Sequence, residues 1–262
     1  MPLLEATLRR DRLVVLGALL LLTTLAWAYL AHLAGGMSSN AMSAMDMASP
    51  VKPGFEIREF FFTFVMWAVM MVGMMTPSAA PTMLLYALVG RAAAAEQQPF
   101  AATGWFASGY FLAWLLFSLV AALVQMQLRQ LMLLTPMLKS ANALLSGGVL
   151  MVVGLYQWSP LKNACLDSCR SPLLFIQRHG GFQRRAGASA ALGLRHGLYC
   201  VGCCWALMLL LFVAGIMNIV WIAGLAILVL VEKLWSRGRL LARLLGAVAV
   251  GAGIFLIWTQ AA

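Results

Sequence analysis

Long apolar segments dominate the chain, and short polar segments separate them. A transmembrane helix needs about 20 mostly apolar residues. Seven segments fit this requirement or come close to it, at residues 13–33, 60–88, 104–128, 141–158, 197–216, 219–234 and 241–259. The pattern therefore predicts an all-α fold, a polytopic transmembrane bundle of about seven helices.

The polar segments predict how this bundle is organised. We expect an N-terminal anchor helix at residues 1–34, a flexible Met-rich external loop at 35–59 and a single transmembrane domain at 60–259. The segment 159–195 is predicted to be a Cys-containing cytoplasmic loop, with a short interfacial helix and a glycine-rich turn. A cleaved signal peptide is the alternative for the first helix, but its apolar run exceeds the usual core of about 7–15 residues.

Composition and charge agree with a membrane protein. Hydrophobic residues make up 63% of the 262 residues and charged residues 10%, whereas soluble domains are about half apolar and a quarter charged. The net charge of +10 does not indicate nucleic acid, because the basic residues flank the apolar segments. Seven spans put 14 of the 18 lysines and arginines on the side of the N-terminus. This bias predicts a cytoplasmic N-terminus, an external C-terminus and the lipid bilayer as surroundings.

One apolar segment, "HGLYCVGCCWALM", collects most of the metal-binding side chains. In a helix at 100° per residue, its imidazole, three thiols and thioether share a face about 140° wide. Thiolate and thioether ligands select Cu(I), zinc or iron–sulfur clusters. The alternative is that small cysteines only allow close helix packing. The predicted ligands are His196, Cys200, Cys203 and Cys204, with Met208 on the same face.

The predicted loop carries the other two cysteines, in "CLDSC". If this stretch is helical, Cys165 and Cys169 share a face, and folding back toward the first motif completes a ligand shell. Asp167 and His179 are expected to be solvated rather than ligating. All five thiols lie on the predicted cytoplasmic side, where a reducing environment disfavours structural disulfides.

Methionine is abundant, with 17 residues. In the second segment Met66, Met70 and Met74 lie within about 80° of one another. Together with Met208, they are either adaptable apolar filler or a thioether path for Cu(I). The loop before them contains Met42, Met45 and Met47, which suggest either external metal capture or only a tether.

Three stretches carry a family resemblance: "MWAVMMVGMMTP", "CLDSCRSPLLF" and the block from "GLRHGLYCVGCCWALM" to "LVLVEK". They resemble a largely uncharacterised bacterial family of predicted metal-binding integral membrane proteins, over about residues 60–233. The resemblance implies a membrane location and metal binding at the Cys and His positions named above, and it implies no reaction. We expect the membrane to be the bacterial inner membrane.

The sequence thus predicts a membrane protein that binds a soft metal, with Cu(I) favoured and zinc as the alternative. Metal transport, or delivery to a metallochaperone or to a copper enzyme under assembly, is the first interpretation. The second is a membrane thiol–disulfide oxidoreductase coupled to quinone, using Cys165 with Cys169 or Cys200 with Cys203. Glu232, at the end of the sixth segment, is expected to be an interfacial anchor.

Overall fold

The computed structural model describes residues 2–44, 56–95, 102–134 and 142–261, with side chains at 13–36, 56–90, 102–134 and 142–259. The regular elements in these ranges are nine helices, which confirms the all-helical prediction. They are α1 (Pro2–Ala44), α2 (Ile57–Ala95), α3 (Thr103–Gln130), α4 (Ala143–Gln157), α5 (Pro160–Arg170), α6 (Pro172–Arg178), α7 (Ala186–Ala214), α8 (Ile219–Leu234) and α9 (Gly238–Ala261).

Five of these helices are long and apolar enough to cross a membrane: α1, α2, α3, α7 and α9. The helices α4 and α5 make a sixth span if they act as one, although they are bent by 64° at their junction. These helices are therefore compatible with a membrane protein. The count of seven spans and the orientation of the termini stay predictions, since α8 has only 16 residues.

Several helix boundaries differ from the predicted segments, and two of the differences change the predicted organisation. Helix α1 continues to Ala44, so the first ten residues of the predicted external loop are helical. Helix α7 begins at Ala186 rather than at residue 197, because the preceding Ala, Gly, Ser and Leu residues continue the helix. His196 consequently lies inside α7 and not at its entrance.

The predicted cytoplasmic loop contains two short helices. Ser159 caps α5, since its side chain accepts a hydrogen bond from the Lys162 amide, and Pro160 occupies the first turn. Pro172 separates α5 from α6. Gly180 and Gly181 then reverse the chain with φ angles of 95° and 74°, which glycine adopts without strain.

Helix α7 is the centre of the bundle and packs against α3, α4, α5 and α8. Its contact with α3 is close because two glycines, Gly193 and Gly197, lie at the crossing. A Cβ atom on Gly197 would come within 2.6 Å of the Ala113 Cβ and 2.9 Å of the Tyr110 carbonyl oxygen. In a lipid bilayer no hydrophobic driving force brings helices together, and small residues allow the close van der Waals packing that does so instead. This crossing brings α3 directly against the cysteine face.

Candidate metal site

The cysteine face of α7 points into the protein. Each of its five predicted residues is at most 3% exposed: His196, Cys200, Cys203, Cys204 and Met208. The helical spacing that placed them on one face is present, since α7 is continuous from Ala186 to Ala214. The face is thus enclosed by protein rather than turned toward lipid.

Helix α5 brings the other two thiols to this face. The Sγ atom of Cys169 lies 3.9 Å from that of Cys203. Cys165 lies one turn earlier, against Gly202, where an added Cβ would come within 2.8 Å of its sulfur. The two α5 cysteines therefore meet adjacent residues of α7.

The sulfurs are close together but do not converge on one point. Cys203 and Cys204 both direct their thiols to the Cys200 carbonyl oxygen, at 3.1 Å and 3.0 Å. In the described part of the chain, no group of three or more His, Cys, Asp or Glu side chains is arranged to hold a metal ion.

A two-sulfur site is nevertheless within reach. Two metal–thiolate bonds of about 2.3 Å, the length found for zinc, allow one ion to bridge sulfurs up to about 4.6 Å apart. The Cys169–Cys203 distance falls inside this limit.

Two polar groups contact Cys200 and a third holds one of them in place, and sequence analysis did not identify any of the three. The Lys233 ammonium donates hydrogen bonds to the Cys200 sulfur at 2.8 Å and to the Ser78 hydroxyl at 3.0 Å. The Tyr110 hydroxyl lies 3.1 Å from the same sulfur. They come from α8, α2 and α3, so no local spacing could have predicted their meeting.

A second buried lysine, Lys162, forms an ion pair. The Lys162 ammonium contacts both Glu232 carboxylate oxygens at 2.9 Å and also donates to Gln157. The Lys162 and Glu232 side chains are 1% and 2% exposed. The expectation that Glu232 is an interfacial anchor was therefore wrong: α5 folds over the end of α8 and provides a buried partner.

His196 is held by aromatic rings rather than by hydrogen bonds. Its ring centroid lies 5.0 Å from that of Phe175 and 5.9 Å from those of Phe106 and Tyr110. Its buried Nδ1 atom has no hydrogen-bond partner. A buried polar nitrogen without a partner is uncommon. A water or a metal ion could satisfy it.

The remaining candidates divide by location. Met66, Met70 and Met74 are all buried within the bundle, which agrees equally with filler and with a thioether path. Asp167 pairs with Arg239, and His179 packs on Phe175, so neither joins the thiols. The Met42, Met45 and Met47 side chains lie outside the described residues.

Residues 64–256 match a protein family, PpoB2, whose description is copper chaperone. No curated protein and no solved structure is similar enough to match. The matched range includes every cysteine and His196.

Proposed function

Because the chain belongs to the PpoB2 copper chaperone family, we propose that it binds Cu(I) through the thiols of α5 and α7 and passes it to a partner. The partner is a metallochaperone or a copper enzyme under assembly. The protein would do this in the bacterial inner membrane, as its apolar helices and the predicted topology suggest.

The observation that carries this proposal is the Cys169–Cys203 contact. Two thiols from separate helices approach to 3.9 Å, and Cys200 adds a third beside them. Thiolates are soft ligands and bind Cu(I) well. Zinc also accepts thiolates, but structural zinc sites generally have four ligands in a closed shell. The thiol pair supports copper as the cargo.

The buried methionines support a path for this cargo. Met70 and Met74 are at most 1% exposed and lie on α2, which packs against both α3 and α8. Neutral thioethers offer soft ligands in an apolar interior without the cost of burying a charge. Movement of copper along α2 toward the thiols, and so transport as well as delivery, forms part of the proposal.

The test is metal content. The protein, purified in detergent and loaded with Cu(I), is expected to retain about one copper ion per chain against a competing chelator. Cys169→Ser and Cys203→Ser are each expected to lose it, because a hydroxyl is a poor ligand for a soft metal. Ser168→Ala, on the same helix, removes only an exposed hydroxyl that bonds to the Ala164 carbonyl, and serves as the control. Copper that stays bound after both thiols are removed would contradict the proposed site.

A thiol–disulfide oxidoreductase remains the second candidate, and the same contact favours it. If Cys169 and Cys203 oxidised, two thiols would form one disulfide, and two electrons and two protons would reduce a quinone to a quinol. This pair crosses from α5 to α7, unlike the two pairs expected from the sequence. A wild-type protein that takes no copper but reduces quinone as this disulfide forms would favour the redox function.

A further inference from the structure

Lys233 is a buried cation with no carboxylate at ion-pair distance in the described ranges, and Glu232 interacts with it electrostatically from farther away. Its side chain lies in the protein interior, with the residue only 6% exposed. The neighbouring buried lysine, Lys162, pairs with Glu232, and this pair cancels its own charge. No ion pair in the described ranges includes Lys233. An unpaired buried charge is costly, so its position needs an explanation.

The atom closest to this charge is a sulfur of the candidate metal site. Lys233 Nζ lies 2.8 Å from Cys200 Sγ, and its electrostatic interactions extend to Cys203 and Cys169. Ser78 fixes the ammonium from the other side. One positive charge is thus held against Cys200 and within electrostatic range of two further thiols.

Metal binding would create a negative charge that balances the Lys233 ammonium. Metals bind thiolates rather than thiols. One Cu(I) ion between two thiolates has one net negative charge, and a divalent ion between two thiolates has none. Only the first complex matches a single buried ammonium. From this match we propose that Lys233, held beside Cys200, is the counter-ion of a two-coordinate Cu(I) complex with the Cys169 and Cys203 thiolates, and that it positions and selects the metal without binding it.

This inference rests on the proposed copper function and extends it to metal selectivity. The site would discriminate by charge between soft metal ions that have the same coordination geometry. Ag(I) and Hg(II) both form linear complexes with two thiolates, but only the Ag(I) complex is negatively charged. Lys233 therefore favours Cu(I) and Ag(I) over Hg(II).

The experiment compares the affinities of Lys233→Met and wild type for Cu(I), Ag(I) and Hg(II), each by competition with a soluble chelator. Removing a buried counter-charge is expected to weaken Cu(I) and Ag(I) binding by about a hundredfold or more. Hg(II) binding is expected to stay unchanged or to strengthen. A purely structural role of Lys233 would weaken all three ions together.

Two further variants keep the test sound. Ser78→Ala removes the other contact of the ammonium but no charge, and is expected to change each affinity by less than about tenfold. Lys233→Gln keeps a donor at the same place and replaces the methionine variant if that one does not fold.

The outcomes separate the two proposals. If wild type binds Cu(I) and Lys233→Met binds it equally well, the counter-ion proposal is wrong and the proposed copper function stands. The counter-ion proposal is also wrong if Lys233→Met lowers the affinities for all three ions together. If wild type binds no Cu(I), both proposals fail.

Discussion

The buried pair of Lys162 and Glu232 gives the sharpest prediction about stability. Glu232→Gln keeps the shape of the side chain and removes its charge, so the Lys162 ammonium stays buried without an anion. At 2.9 Å and an effective dielectric constant of about 20, the lost attraction is about 5–6 kcal/mol. Part of it returns through relaxation and through the Gln157 contact. We expect a loss of about 3–5 kcal/mol in the free energy of unfolding.

The assay is equilibrium unfolding of the metal-free protein in mixed detergent micelles, followed by tryptophan fluorescence. Glu59→Gln is the matched control, because it removes the same charge from a pair with Arg129 that is 3.7 Å long and largely exposed. Such a pair contributes less than about 1 kcal/mol.

A double substitution tests the same reasoning from the other side. Lys162→Met combined with Glu232→Leu removes both charges and is expected to restore most of the stability. The reasoning is refuted if Glu232→Gln costs no more than Glu59→Gln, or if the double variant is less stable than the single one.

Two further predictions concern the contact between α3 and α7. Gly193→Ala is expected to lower the free energy of unfolding by about 1–3 kcal/mol, since the new Cβ would collide with the Phe106 carbonyl, whereas Gly187→Ala on the same helix meets open space and should stabilise slightly; equal effects in the same unfolding assay would contradict this contact. Tyr110→Phe removes the hydroxyl beside Cys200 and is expected to weaken Cu(I) binding by about three- to tenfold in chelator competition, with unfolding little changed; an unchanged copper affinity would show that the hydroxyl plays no part.

The long helices could be predicted because a membrane-spanning helix needs a long apolar run, and hydropathy reports such runs directly. The start of α7 could not, since Arg195 and the small residues before it lower the local hydropathy although they continue the helix. The turn at Gly180 and Gly181 is visible as a glycine pair. What the sequence does not contain is the direction in which α5, which precedes this turn, packs against α7.

The candidate site was predictable along one helix and not across helices. The periodicity of α7 places His196 and Cys200 on one face, and the structure buries that face. Lys233, by contrast, lies at a helix end, where a basic residue ordinarily marks membrane topology. Its approach to Cys200 depends on the packing of α8 against α7, a long-range contact with no local signature.

Because the thiols are divided between α5 and α7, metal binding and the packing of α5 against α7 would depend on each other. A metal held by Cys169 and Cys203 would close a loop of the chain, because these residues are 34 positions apart. Loading would therefore make α5 harder to detach, and by thermodynamic reciprocity detaching α5 would lower the affinity for the metal. A partner that binds the outer surface of α5 and detaches it from α7 would thus release the metal without replacing the thiol ligands one at a time.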